Sequence, residues 1–200
     1  MEIVDTEPYK KAMEEIKLRA DVIKACLDGR AKLSGPPRIE SAALQLRMIF
    51  ELIALASLAA NKELFAKQSQ RFEKHWHPSA IIKDLEKINP NFYPEPISVS
   101  EPDSLGIRTH DRSLSGYLTK EELVEAHGKL GNILHSRNPY AKKIDYEQYA
   151  KQIILLTNKV VALLATHQIR LLGDEHFYFV LMAEHDRDVV CIYPFQRVDA

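Results

Sequence analysis

Residues 42–60 read AALQLRMIFELIALASLAA, and the fold turns on how this stretch is read. It is apolar on nearly every helical face, which suits either a membrane span or the central helix of a soluble bundle. Arg47 and Glu51 decide between the two. Each such charge costs roughly 2.5–3.5 kcal/mol at the centre of a bilayer, so a span carrying both is disfavoured. Many of the remaining residues are Ala. The stretch therefore predicts a helix over 38–67, buried on most sides within a helical bundle, and no membrane association.

Working outward, the residues before it predict a first helix. It starts near Pro8 with Asp5 or Thr6 as cap, carries a broad apolar stripe, and ends near Gly29. After it, His77 precedes Pro78, and a residue before proline is steered away from helical backbone. A short helix is expected over 79–87. Residues 89–118 change character, with Pro90, Pro94, Pro96, Pro102 and several serines. So long an irregular excursion is functional, mobile or holds small strands. PISVSE (96–101) and GIRTH (106–110) are the candidate strands. TKEE (119–122) is a capping box, and its helix is expected to run to about Ser136. A last long helix is expected over 146–171, with Ile153, Leu156, Val160, Leu163 and Leu164 on one side.

HFYFVLMA (176–183) and DVVCIYPF (188–195) switch to β-branched and aromatic residues, the signal of a β-hairpin. A lone hairpin is marginal in water. It must pack on the helices, pair with strands from 97–110, or pair with another subunit. The fold class expected is mainly α: an antiparallel helical bundle over 1–175, containing the 89–118 insertion, with a β-hairpin appendage over 176–200.

Composition narrows the function classes. Of the 200 residues, 46% are hydrophobic and 28% charged, and the formal net charge is −1, so no global basic field draws in nucleic acid. Cys26 and Cys191 have neither metal spacing nor a disulfide framework, which suits a reducing cytoplasm. Residues 1–11 contain no apolar run of the kind a signal peptide needs. No phosphate loop, dinucleotide fingerprint, GxSxG or HExxH occurs, so neither a cofactor nor a metal is expected.

Two polar groupings stand out. Glu40, Leu44, Arg47 and Glu51 share one face of the apolar helix, and Arg47 and Glu51 are spaced to pair. They read either as a buried structural ion pair that fixes helix register or as a polar stripe lining a pocket between helices. On the helix leading into GNILHSRNPY (131–140), Gly128, Asn132 and His135 would share a face, with His127 beside them. Gly128 and Gly131 each weaken a helix by about 1 kcal/mol relative to Ala, which suggests a close neighbour or a cleft. His135 and Arg137 read either as caps on the helix's last carbonyls or as chemistry. In the second reading His135 is a general acid/base and Arg137, helped by Lys142 and Lys143, a phosphate clamp. Arg47, Glu51, His127, Asn132 and Asn138 are the candidate polar-pocket residues.

LQLRMIFELIALASLAANKELF (44–65), followed by LGNILHSRNPY (130–140), resembles bacterial helical proteins of HEPN-like type over roughly 8–171. The resemblance implies an α-helical bundle, often a homodimer. Such bundles occur in ribonucleases of toxin–antitoxin and phage-defence systems and in non-catalytic relatives. The active members carry an Arg, a polar residue, and a His shortly afterwards. Here Arg137 and Asn138 supply the first two, but residues 139–144 contain no His, and His135 precedes the Arg. Arg71 with His77, and Arg170 with His176, have a suitable spacing, but Phe72 and Leu171 follow those arginines. Two functions are therefore expected to compete. One is a non-catalytic module binding a protein partner or small ligand. The other is a metal-independent ribonuclease using His135 and Arg137, with RNA as its partner.

Overall fold

The computed structural model describes residues 6–60, 78–100, 104, 110–111, 115–136, 140, 142–170, 176–184 and 188–196. Helix α1 (Glu7–Leu27) opens with Thr6 as N-cap and proline in its first turn, as its sequence predicts. Gly29 follows it at φ 86°, the left-handed conformation that commonly ends a helix. Helix α2 (Gly35–Ala60) packs along α1, and the core between them includes Tyr9, Met13, Ile23, Leu46, Phe50 and Ile53. Arg19 of α1 ties the pair together. It forms an ion pair with Glu15 and donates to Gln45 Oε1 of α2 at 2.8 Å.

Helices α3 (Pro78–Ile88), α4 (Lys120–Gly131) and α5 (Tyr146–Leu164) all pack on α2. The chain is mainly α, with a small four-stranded antiparallel sheet built largely from its C-terminal end and a separate two-stranded pair. The capping box of α4 forms as its sequence requires. Thr119 accepts from the Glu122 amide at 3.2 Å, and Glu122 accepts from the Thr119 amide at 3.2 Å. Lys159 of α5 forms an ion pair with Glu122, and that contact, with the Thr119 amide, holds the Glu122 carboxyl below its usual range. The same cap therefore joins α4 to α5.

The strands are β1 (Glu95–Pro96), β2 (Ser98–Val99), β3 (His110–Asp111), β4 (Thr166–Arg170), β5 (His176–Leu181) and β6 (Cys191–Gln196). β2 and β3 pair with each other, so PISVSE does contribute a short strand; of GIRTH only His110 is described, where β3 begins, and 106–109 lie outside the described residues. The hairpin of β5 and β6 forms where its composition placed it. Its cover is a strand that the sequence pattern hid. The helix expected to reach 171 stops at Leu164, and THQIR (166–170) becomes β4, flanked by β1 and β5. The sheet order is β1-β4-β5-β6.

Tertiary partners explain the early stop of α5. The last carbonyls of a helix lack intrahelical donors. Here the Met182 amide reaches the Ala165 carbonyl at 3.1 Å, and the Ile97 amide reaches that of Thr166 at 2.9 Å. The free end of the hairpin is fixed to α1, where Glu14 accepts from the Val190 amide at 2.6 Å and Lys17 donates to the Asp188 carbonyl at 2.8 Å. Among the described residues, no helix is long and apolar enough to cross a membrane.

Candidate functional site

The charged stripe of α2 lies at the margin of its buried surface. Leu44 and Leu55, on the same side, are 45% and 37% exposed. That position lets Arg47 and Glu51 occur in so apolar a helix: each is half-buried and reaches a partner on α4. Among the described residues they form no ion pair with each other. Both engage His127. Glu51 Oε1 lies 2.9 Å from His127 Nε2, and Arg47 Nη1 donates to the His127 backbone carbonyl at 2.5 Å. A carboxylate only accepts, so Nε2 carries the proton in this contact. Glu40, at the start of the stripe, accepts from the Tyr146 hydroxyl of α5 at 2.7 Å. Three charges spaced along α2 thus fix the positions of α4 and α5.

Gly131 makes room for this arrangement. A β-carbon there would lie 2.5 Å from Arg47 Nη1, so the guanidinium passes where a side chain would stand. Gly128 has nothing within 4 Å of that position and faces open space. The close approach expected at both glycines occurs at one.

Helix α4 ends at Gly131, not near Ser136. Beyond it the amides of Asn132, Ile133 and Leu134 bond back three residues, and Ile133 turns into the core. The face expected to join Gly128, Asn132 and His135 depends on a helix that has ended. Asn132 is the exposed C-cap, and His135 stands exposed beyond it. Arg137 and Asn138 lie outside the described residues. Of the candidate residues, Arg47, Glu51 and His127 are therefore brought together, while Asn132 and His135 are on the surface.

A second buried histidine was hidden in the sequence because it sits in the segment read as helix. His167 of β4 and Tyr9 of α1 are both fully buried. His167 Nδ1 is 2.8 Å from the Leu164 carbonyl, and Nε2 is 2.8 Å from the Tyr9 hydroxyl. A carbonyl only accepts, so Nδ1 carries the proton and Nε2 accepts from Tyr9. Burial lowers the His167 pKa to about 4, against the raising effect of the Leu164 contact, and it pushes the Tyr9 phenol far above its ordinary range. The ring is neutral and the phenol remains a donor. The signal available in the sequence was Thr166 and Ile169, two β-branched residues close to a β-type tail.

Concavities also lie among the described residues. One, of about 180 Å3, lies between α4 and α5, with Leu130, Leu155 and Leu156 on its walls and Glu125 and Lys129 among its polar residues. Another, of about 240 Å3, lies beside β1 and contains Tyr93, Tyr117, Lys120 and Arg170. Lys120 is engaged by Glu86 at 2.5 Å, and the Arg170 guanidinium lies 4.8 Å from the centre of the Phe177 ring. Among the described residues, no group of three or more His, Cys, Asp or Glu is placed to hold a metal ion. Comparison of the chain with protein-family models, curated proteins and solved structures finds no match.

Proposed function

We propose that this protein is a non-catalytic helical module of HEPN-like type that works by binding protein, in the cytoplasm and as a homodimer. The observation supporting this reading is the destination of the α2 charges. Arg47 and Glu51 both engage His127, one through its main chain and one through its ring. Such a cluster positions helices; its polar groups face each other across the α2–α4 contact. His135, the acid/base of the ribonuclease alternative, is exposed, while His127 is buried. Exposed apolar residues are available for recognition, including Ile154, Leu155 and Val161 of α5 and Phe195 of β6. The resemblance to HEPN-like domains supports a toxin–antitoxin or phage-defence setting.

The test is RNA degradation by the purified protein and by His135→Ala, without added metal. Absence of cleavage in both is the expected result. Cleavage by the wild type that is lost in His135→Ala would overturn the non-catalytic reading and establish a ribonuclease that uses this residue.

A further inference from the structure

We infer that the cavity beside β1 is a binding site for a free α-amino acid, held by its carboxylate at Arg170 and by its ammonium at Glu95. The inference does not depend on the protein-binding reading. The cavity, of about 240 Å3, lies where the segment after α3, strand β1, the start of α4 and the end of β4 meet. Contacts between distant segments fix its frame. Asn89 Nδ2 donates to the Arg170 carbonyl at 3.0 Å, the Tyr93 hydroxyl to the Leu118 carbonyl at 2.9 Å, and the Leu118 amide to the Lys159 carbonyl at 3.1 Å. A site held in this way is formed before its ligand arrives, which lowers the ordering cost of binding.

Two polar groups on the walls take no part in that frame. Among the described residues, the Arg170 guanidinium has no hydrogen bond or ion pair, and the Tyr117 hydroxyl has no hydrogen bond. Both side chains are half-buried. The guanidinium rests on the Phe177 ring, 4.8 Å from its centre. A half-buried charge with no counter-ion is costly, and a planar fork of five donors fits a carboxylate. Lys120, the second cation on the walls, is already paired with Glu86 at 2.5 Å.

The acid stands on the same wall as the arginine. Glu95 is directly opposite Gln168, and Arg170 lies two residues further along β4, on the same face of the sheet. Such diagonal neighbours are about 7–8 Å apart, within reach of long side chains. Yet Glu95 and Arg170 form no ion pair with each other. The buried Gln168 donates from Nε2 to Glu95 Oε2 and holds the carboxylate on one side. Phe177, directly opposite Arg170 in the sheet, holds the guanidinium on the other. Opposite charges kept apart across a cavity are complementary to a ligand that carries both. Lys120 balances Glu86, and Arg170 balances Glu95, so a neutral zwitterion leaves no charge uncompensated. Phosphate or a simple carboxylate would meet Glu95 instead. An ammonium and a carboxylate on one carbon occur in a free amino acid, whereas a peptide end carries one or the other. Tyr93, Pro94 and Pro96 offer an apolar wall to its side chain. The volume is below the roughly 300–1,000 Å3 usual for drug-sized ligands, which suits an amino acid better than a nucleotide.

The experiment is thermal unfolding of the full chain with each common amino acid at millimolar concentration, followed by titration calorimetry with the most stabilising one. The same molecule without its amine, the same molecule without its carboxylate, and inorganic phosphate are titrated beside it. The expected result is binding of an apolar amino acid, with each of the other three at least about tenfold weaker. Arg170→Gln should weaken the amino acid by about tenfold or more. Glu95→Gln should weaken the amino acid but not the amine-free acid, a split that a misfolded variant cannot give. No binding of any amino acid overturns the inference. Binding that survives both substitutions overturns its placement in this cavity. Amine-free acid or phosphate bound as tightly as the amino acid overturns the role of Glu95 and the zwitterion with it. Each of these outcomes leaves the protein-binding reading standing.

Discussion

Two buried histidines hold two different junctions of this molecule, and they do so with opposite hydrogen-bonding roles. His127 joins α4 to α2 by donating from Nε2 to a carboxylate, at the margin of the core. His167 joins β4 to α1 by accepting at Nε2 from a phenol, deep inside it. The partner's chemistry sets each role. Glu51 only accepts, and its half-buried position keeps part of the carboxylate hydrated. Tyr9 brings no charge into a fully buried site, and its hydroxyl satisfies a neutral ring. A polar group at the rim of a core can carry charge, while one at the centre has to be neutral and fully paired.

The largest expected effect of this difference is on stability against pH. The folded pKa of His167, about 4, lies below the ordinary value of 6.5. Between these values the unfolded chain binds the proton and the folded chain does not. Its contribution, about 3 kcal/mol, is complete above pH 6.5 and is lost as pH falls toward 4. Urea unfolding at intervals from pH 7 to pH 4 measures this, and a flat profile for the wild type would refute the neutral buried ring.

Next comes Tyr9→Phe, which leaves the ring volume but removes the donor to His167. The buried Nε2 then has no hydroxyl to accept from, at a cost of about 1–3 kcal/mol in unfolding free energy at pH 7. Glu51→Ala is expected to cost less, about 1–2 kcal/mol, because water can reach the rim and replace part of the lost contact. Chemical denaturation of the two variants ranks them. Should Glu51→Ala prove the more damaging, the rim contact carries more of the fold than the central one.

Gly131→Ala should have the smallest effect. The new methyl group displaces the tip of Arg47, and the lost bond to the His127 carbonyl costs about 1 kcal/mol. Replacing glycine by alanine at the end of α4 returns up to about 1 kcal/mol of helix propensity. The net change is expected within about 0.5 kcal/mol. A loss well beyond that would show that Arg47 cannot move aside and that its position is fixed by more than one hydrogen bond.

The legible parts of the fold are those governed by neighbours in sequence. The TKEE box forms because all of its partners lie within one turn. Helix α1, whose Thr6 makes no side-chain cap, starts where Pro8 fits its first turn and ends before the left-handed Gly29, both local features. The misread parts are helix ends. Both α4 and α5 were extended too far, since nothing nearby in sequence stops them. Ile133 leaves the helix to enter the core, and the carbonyls just beyond α5, of Ala165 and Thr166, are taken by Met182 and Ile97 from distant segments. The error at α5 concealed β4 and with it His167. The error at α4 produced a shared face for Asn132 and His135 that the folded chain does not have. Sequence spacing found the charged stripe of α2, and His127 beside the other candidates, but not which partner each charge would choose.

By itself the sequence determined a mainly helical chain built around 42–60, one strong cap and a C-terminal hairpin, because periodicity and capping act within a few residues. Only the tertiary structure decided that Arg47 and Glu51 turn from each other to His127, that THQIR is a strand, and that a neutral histidine lies between β4 and α1. Those outcomes depend on which distant donor or acceptor arrives at a buried group. A buried polar atom takes the partner that folding delivers to it, and no local spacing encodes that choice.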